Sequence, residues 1–161
     1  MKTLIVYATK YGCTKKCADI LKTFLDGDTR IAQVKNGTIN LTEYDNVIIG
    51  GPVYMGKMQG DITAFCKRYK SQLLTKRFAL FACCYTPGED KEYFKTLFPK
   101  ELLDYSLYTT TVGGIMNYEK MNFVYRKMFQ SLKKIDDFNK GFVEPVIRTE
   151  DIKKIASVIN T

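Results

Sequence analysis

Histidine is missing from all 161 residues of the chain. Its absence excludes Ser-His-Asp hydrolases, Cys-His proteases and His-ligated zinc sites. Any chemistry is then expected to be carried by a bound cofactor. Long apolar runs are also missing, and none approaches the ~20 residues needed to span a bilayer. The opening segment MKTLIVYATKYG has too short an apolar run for a signal peptide, and Lys10, Lys15 and Lys16 follow it too soon. No Cys-x-x-Cys pair occurs, and the five cysteines are an odd number, which fits free thiols in a reducing compartment. A cytoplasmic location is expected. There is no internal repeat and no low-complexity linker, so residues 1–161 read as one domain.

What is present points to an ordered core. Hydrophobic residues make up 45% of the chain, too many for a disordered segment. The net charge is +8. Solubility alone accounts for such a balance; an anionic ligand or an anionic membrane surface would also suit it. Nucleic acid is not expected, because no recognition motif accompanies the charge.

Apolar and β-branched runs alternate with helical periodicity along the chain. Residues 2–9, 30–34, 46–50, 78–83 and 108–112 read as strands, the second of them at an edge. Helices are expected over 14–25, 61–69, 90–97, 119–135 and 149–159. Residues 136–147 read as a loose segment. Strands alternating with helices imply a parallel sheet covered on both faces, and five strands fit a doubly wound α/β sandwich.

Ligands of such sheets bind at the carboxyl ends of the strands. The first strand ends in Thr9-Lys10-Tyr11-Gly12-Cys13-Thr14 and leads straight into a helix. Hydroxyls, a permissive glycine and the free N–H groups of the helix start make an anion site, and Thr14 is also placed to cap the helix. The segment matches neither G-x-G-x-x-G nor G-x-x-x-x-G-K-[ST]. Cys13 at a helix start raises the alternative of a phosphatase or thiol enzyme. A C-x5-R phosphatase loop would need arginine where Asp19 stands.

Two further loops fall at the same sheet edge. Gly50-Gly51-Pro52 reads as a tight turn presenting Tyr54 and Met55 before the mobile Gly56. The other loop, Cys83 to Asp90, offers Tyr85. Both suit a flat aromatic ligand.

The turn from Thr9 to Thr14 resembles the T/S-x-T-G-x-T phosphate loop of the flavodoxin family, with Tyr11 in place of the middle Thr. The segments Gly50 to Met58 and Cys83 to Glu89 resemble the loops over the two flavin faces. This resemblance implies a flavodoxin-like three-layer sandwich with a five-stranded parallel sheet, bound FMN, and electron transfer to a redox partner protein. It implies that Thr9, Lys10, Tyr11, Gly12, Cys13 and Thr14 hold the phosphate. Pro52, Val53, Tyr54, Met55, Gly56 and Lys57 would meet one side of the ring, and Cys84, Tyr85 and Thr86 the other. Typical flavodoxins are acidic, whereas this chain is basic. Its charge, Gly51 to Gly56 and the stretch Gly114-Ile115-Met116-Asn117-Tyr118 are similar to the menaquinone-dependent protoporphyrinogen oxidase branch. That branch implies an FMN-dependent oxidoreductase acting on a porphyrinogen with a quinone as acceptor; a simple shuttle between proteins is the alternative.

The expected helix 119–135 carries Met121, Tyr125, Met128, Leu132 and Ile135 on one face, with Arg126, Lys127, Lys133 and Lys134 opposite. A core-packed helix with a solvated basic face explains the pattern. Phe123 among the cations also suits peripheral contact with an anionic membrane.

Overall fold

The computed structural model describes residues 1–35, 38–84 and 91–161. Its five parallel strands are β1 (Lys2–Tyr7), β2 (Asp28–Gln33), β3 (Asn46–Tyr54), β5 (Arg77–Cys83) and β6 (Tyr108–Thr111), in the order β2-β1-β3-β5-β6. A two-residue strand, β4 (Lys57–Met58), folds back antiparallel on the end of β3.

Every central strand is apolar on both sides because both faces are covered. Successive residues of β3 go to opposite layers: Val47 and Ile49 pack on one face, Ile48 on the other. The first face is covered by α2 (Gly60–Leu73), α3 (Lys91–Leu97) and α4 (Lys100–Tyr105), through Phe65, Cys66, Phe94 and Leu102. The second is covered by α1 (Cys13–Lys22) and α7 (Thr149–Asn160), through Cys17, Leu21, Ile152 and Ile155. This is the doubly wound three-layer sandwich expected from the strand and helix pattern, with β2 at the edge.

Three local readings are corrected. Gly50, Gly51 and Pro52 do not turn the chain; they lie within β3, which runs on to Tyr54. Pro52 is tolerated because it stands beyond Gly50, the last residue of β3 paired with β1. The turn is Met55-Gly56, with φ of +51° and +72°. Two successive left-handed residues suit a two-residue hairpin, and they join Tyr54 to its partner Lys57.

The long helix is also shorter than expected. It is α5 (Phe123–Lys133), it buries no residue, and α6 (Asp136–Gly141) forms in what read as a loose segment. The two belong to an excursion that leaves the sheet after β6 and returns at a clasp. There Gly113 bridges Ile147 and Arg148 donates to the Thr111 carbonyl oxygen at 2.8 Å. The excursion is held together by rings: Phe129 lies 5.2 Å from Phe142 and 5.5 Å from Tyr118 between centroids, and Phe138 stacks on Phe142 at 5.5 Å. Apolar residues that would pack on a sheet in an ordinary layer instead face a hollow between α5, α6 and the strand ends.

Candidate functional site

The hollow is a cavity of about 660 Å³ at the carboxyl ends of β1, β3 and β5. The turn after β1 forms its floor. The N–H of Gly12 donates to Thr9 Oγ1 at 2.9 Å, and Gly12 takes φ +92°, a conformation that disfavours a side chain. Gly12 is therefore the N-cap of α1, and no side chain caps the helix. This corrects the expectation that Thr14 is the cap. Lys16 is the first residue whose N–H returns to the turn, bonding the Gly12 carbonyl oxygen at 3.1 Å. The earlier N–H groups of α1 have no intrahelical acceptor and favour an anion.

Thr14 supplies the independent sign. It is fully buried and lines the cavity, and its hydroxyl has no hydrogen-bond partner. An unsatisfied buried hydroxyl costs about 1–3 kcal/mol. The orphaned atom sits beside an uncapped helix start, where a phosphate oxygen would satisfy both. The residues present thus fit a phosphate group.

Thr9, Tyr11, Cys13, Thr14, Pro52, Val53, Tyr54 and Cys84 all line the cavity, so eight of the residues singled out in the sequence converge there. Lys10 is at its mouth rather than its wall: its Nζ lies 5.4 Å from the Tyr11 ring, 5.9 Å from Tyr54 and 5.8 Å from Tyr125. Met55, Gly56 and Lys57 do not line it; they form the exposed tip of the β3–β4 hairpin, with Met55 69% exposed. Tyr85 and Thr86 lie outside the described residues.

Contacts of Tyr11 and Tyr54 join this wall to residues that the sequence did not mark as a site. Tyr11 meets Tyr54 edge-on at 5.9 Å, and its hydroxyl oxygen accepts the N–H of Asn122 at 3.4 Å. Tyr11 thus ties the turn after β1 to the excursion. Burial and the neighbouring Tyr11 push the Tyr54 hydroxyl well above the usual phenol range, so it remains a donor. The roof is apolar, made by Met121, Met128, Phe129, Phe138 and Phe142. Two of these, Met121 and Met128, belong to the stripe that the sequence suggested was core. The segment Gly114 to Asn117 also lines the cavity.

None of the five cysteines is joined in a disulfide. Cys13 is held well below the usual thiol range by hydrogen bonds from Cys17 and Cys83, helped by the N–H of Ile115 and the charge of Lys16, against the opposing effect of burial. A C-x5-R phosphatase is not built here: Asp19 is paired with Lys15 at 2.7 Å on the surface of α1.

A family profile described as flavodoxin domain matches residues 4–140. Among solved structures, a flavodoxin from the domain Archaea aligns over 100% of both chains at 14% identity, with a TM-score of 0.54. A flavodoxin, WrbA-like protein from Agrobacterium tumefaciens aligns over 98% of this chain and 96% of its own at 14% identity, with a TM-score of 0.50. Two-electron reduced Megasphaera elsdenii flavodoxin aligns over 68% of this chain and 84% of its own at 16% identity, also at 0.50. Likenesses at these identities speak to fold. A search of curated proteins finds no match.

Proposed function

The chain belongs to the flavodoxin-domain family, and from that premise we propose that it is an FMN-binding electron-transfer protein that acts as an oxidoreductase on a flat apolar substrate. The observation that carries the reading is the orphaned Thr14 hydroxyl beside the uncapped start of α1, opening into an apolar cavity. FMN joins the two chemistries that this site asks for, an anion at one end and an aromatic ring at the other. Thr9, Gly12, Cys13 and Thr14 would hold the phosphate, and Pro52, Val53, Tyr54 and Cys84 would border the ring. When bound, the flavin supplies electron exchange; the protein binds it, excludes water from it and sets its charge environment. Lys10, close to three tyrosine rings that line the cavity, would favour an anionic reduced flavin.

Titrating the protein into FMN should quench flavin fluorescence strongly, and riboflavin should bind far more weakly because it lacks the phosphate. Equal binding of the two would remove the phosphate from the reading.

The apolar lining beside the ring site supports an enzyme reading alongside the simple shuttle. Met121, Met128, Phe129 and Phe142 give one side of the open cavity an apolar lining that an apolar substrate would meet beside the ring. A quinone or a porphyrinogen suits that lining. Mixed with FMN-loaded protein and a menaquinone in the absence of oxygen, protoporphyrinogen IX should become fluorescent porphyrin at a rate proportional to protein. Quinone-independent electron delivery to an acidic redox protein, with no porphyrin formed, would establish the simple shuttle instead.

The excursion also supports peripheral contact with an anionic membrane, the source of such apolar substrates. Among the described residues no helix is long and apolar enough to cross a bilayer. Phe123 and Val124, however, are 66% and 68% exposed at the start of α5, and Lys127 Nζ lies 4.9 Å from the Phe123 ring. The protein should sediment with vesicles containing anionic lipid and not with neutral ones. Phe123→Asp should lower the bound fraction several-fold, and unchanged sedimentation of that variant would refute a role for this tip.

A further inference from the structure

Three thiols converge at a point that electron transfer by a flavin does not require. Cys13 opens α1, Cys17 follows one turn later on the same face, and Cys83 ends β5. Their Sγ atoms all lie within 4.8 Å of one another, and Cys83 Sγ is 3.6 Å from Cys17 Sγ. We propose that Cys13, Cys17 and Cys83 form a binding site for a thiophilic divalent cation of the zinc and cadmium type.

The geometry is close to what such an ion demands. Metal–sulfur bonds of about 2.3 Å in a tetrahedral arrangement place sulfurs about 3.8 Å apart. The trio needs only side-chain adjustment to reach that spacing. The ligands are all sulfur, which selects against magnesium and calcium. Charge separates the thiophilic ions further. Three thiolates leave one net negative charge around a divalent ion and two around a monovalent one, in a place where Cys17 and Cys83 are only 1% and 6% exposed. The remaining single charge meets the N–H of Ile115, which donates to Cys13 Sγ at 3.2 Å. Such outer hydrogen bonds orient and stabilise ligating thiolates.

The site is reachable, because Cys13 and Cys83 line the cavity wall. The fourth coordination position would face that cavity. Counted from protonated thiols, binding releases three protons to solvent, three sulfur–metal bonds form, and no electrons move. Cys66 provides the internal control: it is fully buried in the core cluster on the other face of the sheet, away from the trio.

The test is a titration of reduced, metal-free, full-length protein with Cd2+ alone, without oxygen, following ultraviolet thiolate-to-metal charge transfer. The band should saturate at one ion per chain and persist in excess Mg2+. Cys66→Ser should match the parent. Cys13→Ser, Cys17→Ser and Cys83→Ser should each weaken binding by at least about 100-fold, since loss of an outer-shell partner alone costs 10–100-fold. Far-UV circular dichroism checks folding of the two buried variants; if either unfolds, the half-buried Cys13→Ser carries the test. No band at stoichiometric Cd2+, or a full band in Cys13→Ser, would overturn the proposal. FMN binding is read separately by fluorescence, so failure of one assignment leaves the other standing.

Discussion

Replacing Thr14 with valine should weaken FMN binding about 10- to 100-fold while leaving the ligand-free protein at least as stable as the parent. The two effects have opposite signs because one atom is responsible for both. In the free protein the Thr14 hydroxyl is buried and unpartnered, so exchanging it for a methyl of similar shape removes an unsatisfied polar group rather than a hydrogen bond. With FMN bound, the same hydroxyl would donate to a phosphate oxygen. A hydrogen bond to a charged group is worth about 1.5–3 kcal/mol, which sets the expected loss. Riboflavin is the internal control: its weak binding should not change, because the ring would lie against other residues. Isothermal titration with FMN and riboflavin, alongside denaturant unfolding of the free protein, measures all three quantities. If Thr14→Val destabilises the free protein and binds FMN normally, the hydroxyl has a structural partner and the phosphate lies elsewhere.

The sheet was legible from sequence because its strands are buried on both faces. A run such as Val47-Ile48-Ile49 has no amphipathic alternation, and that absence itself marks a covered parallel strand. The turn after β1 was legible for a similar reason, since a strand, a glycine and a helix start follow one another without a break. The roof of the site was less legible. Met121, Tyr125 and Met128 recur at helical spacing, and a stripe facing a cavity has the same period as one facing a core. Periodicity reports that a face is apolar and not what it meets. Burial makes the distinction, because α5 buries no residue at all. The tether from Tyr11 to Asn122 joins positions 111 residues apart, and the Cys83–Cys17 contact joins positions 66 apart. Neither has a local signature. The glycines of β3 were misread because glycine serves two purposes, bending a chain or making room beside it.

Gly50 makes room, and Gly50→Ala should therefore destabilise the protein by about 3 kcal/mol or more. A Cβ there would overlap the far edge of the Phe81 ring, at Cζ, Cε1 and Cε2. Phe81 is 1% exposed and sits in the core cluster between the sheet and the α1–α7 layer. Its ring would have to move into packed neighbours. In an open strand the change from glycine to alanine gains about 0.5–1 kcal/mol; overpacking outweighs that gain here. Gly50 and Phe81 are directly paired across β3 and β5, so their substitutions should couple. Phe81→Leu trims the ring that the added methyl would strike, and the double variant should be more stable than the sum of the singles by about 1–3 kcal/mol. The site would register the clash as well. Two residues beyond Gly50 lies Pro52, and two beyond Phe81 lies Cys83, both in the cavity wall. Gly50→Ala should accordingly lose FMN quenching at denaturant concentrations where its far-UV signal is still native. Unfolding midpoints of the four members of this cycle decide the matter: if Gly50→Ala falls within about 0.5 kcal/mol of the parent, or the two changes simply add, the Phe81 ring can retreat and the strand needs no glycine.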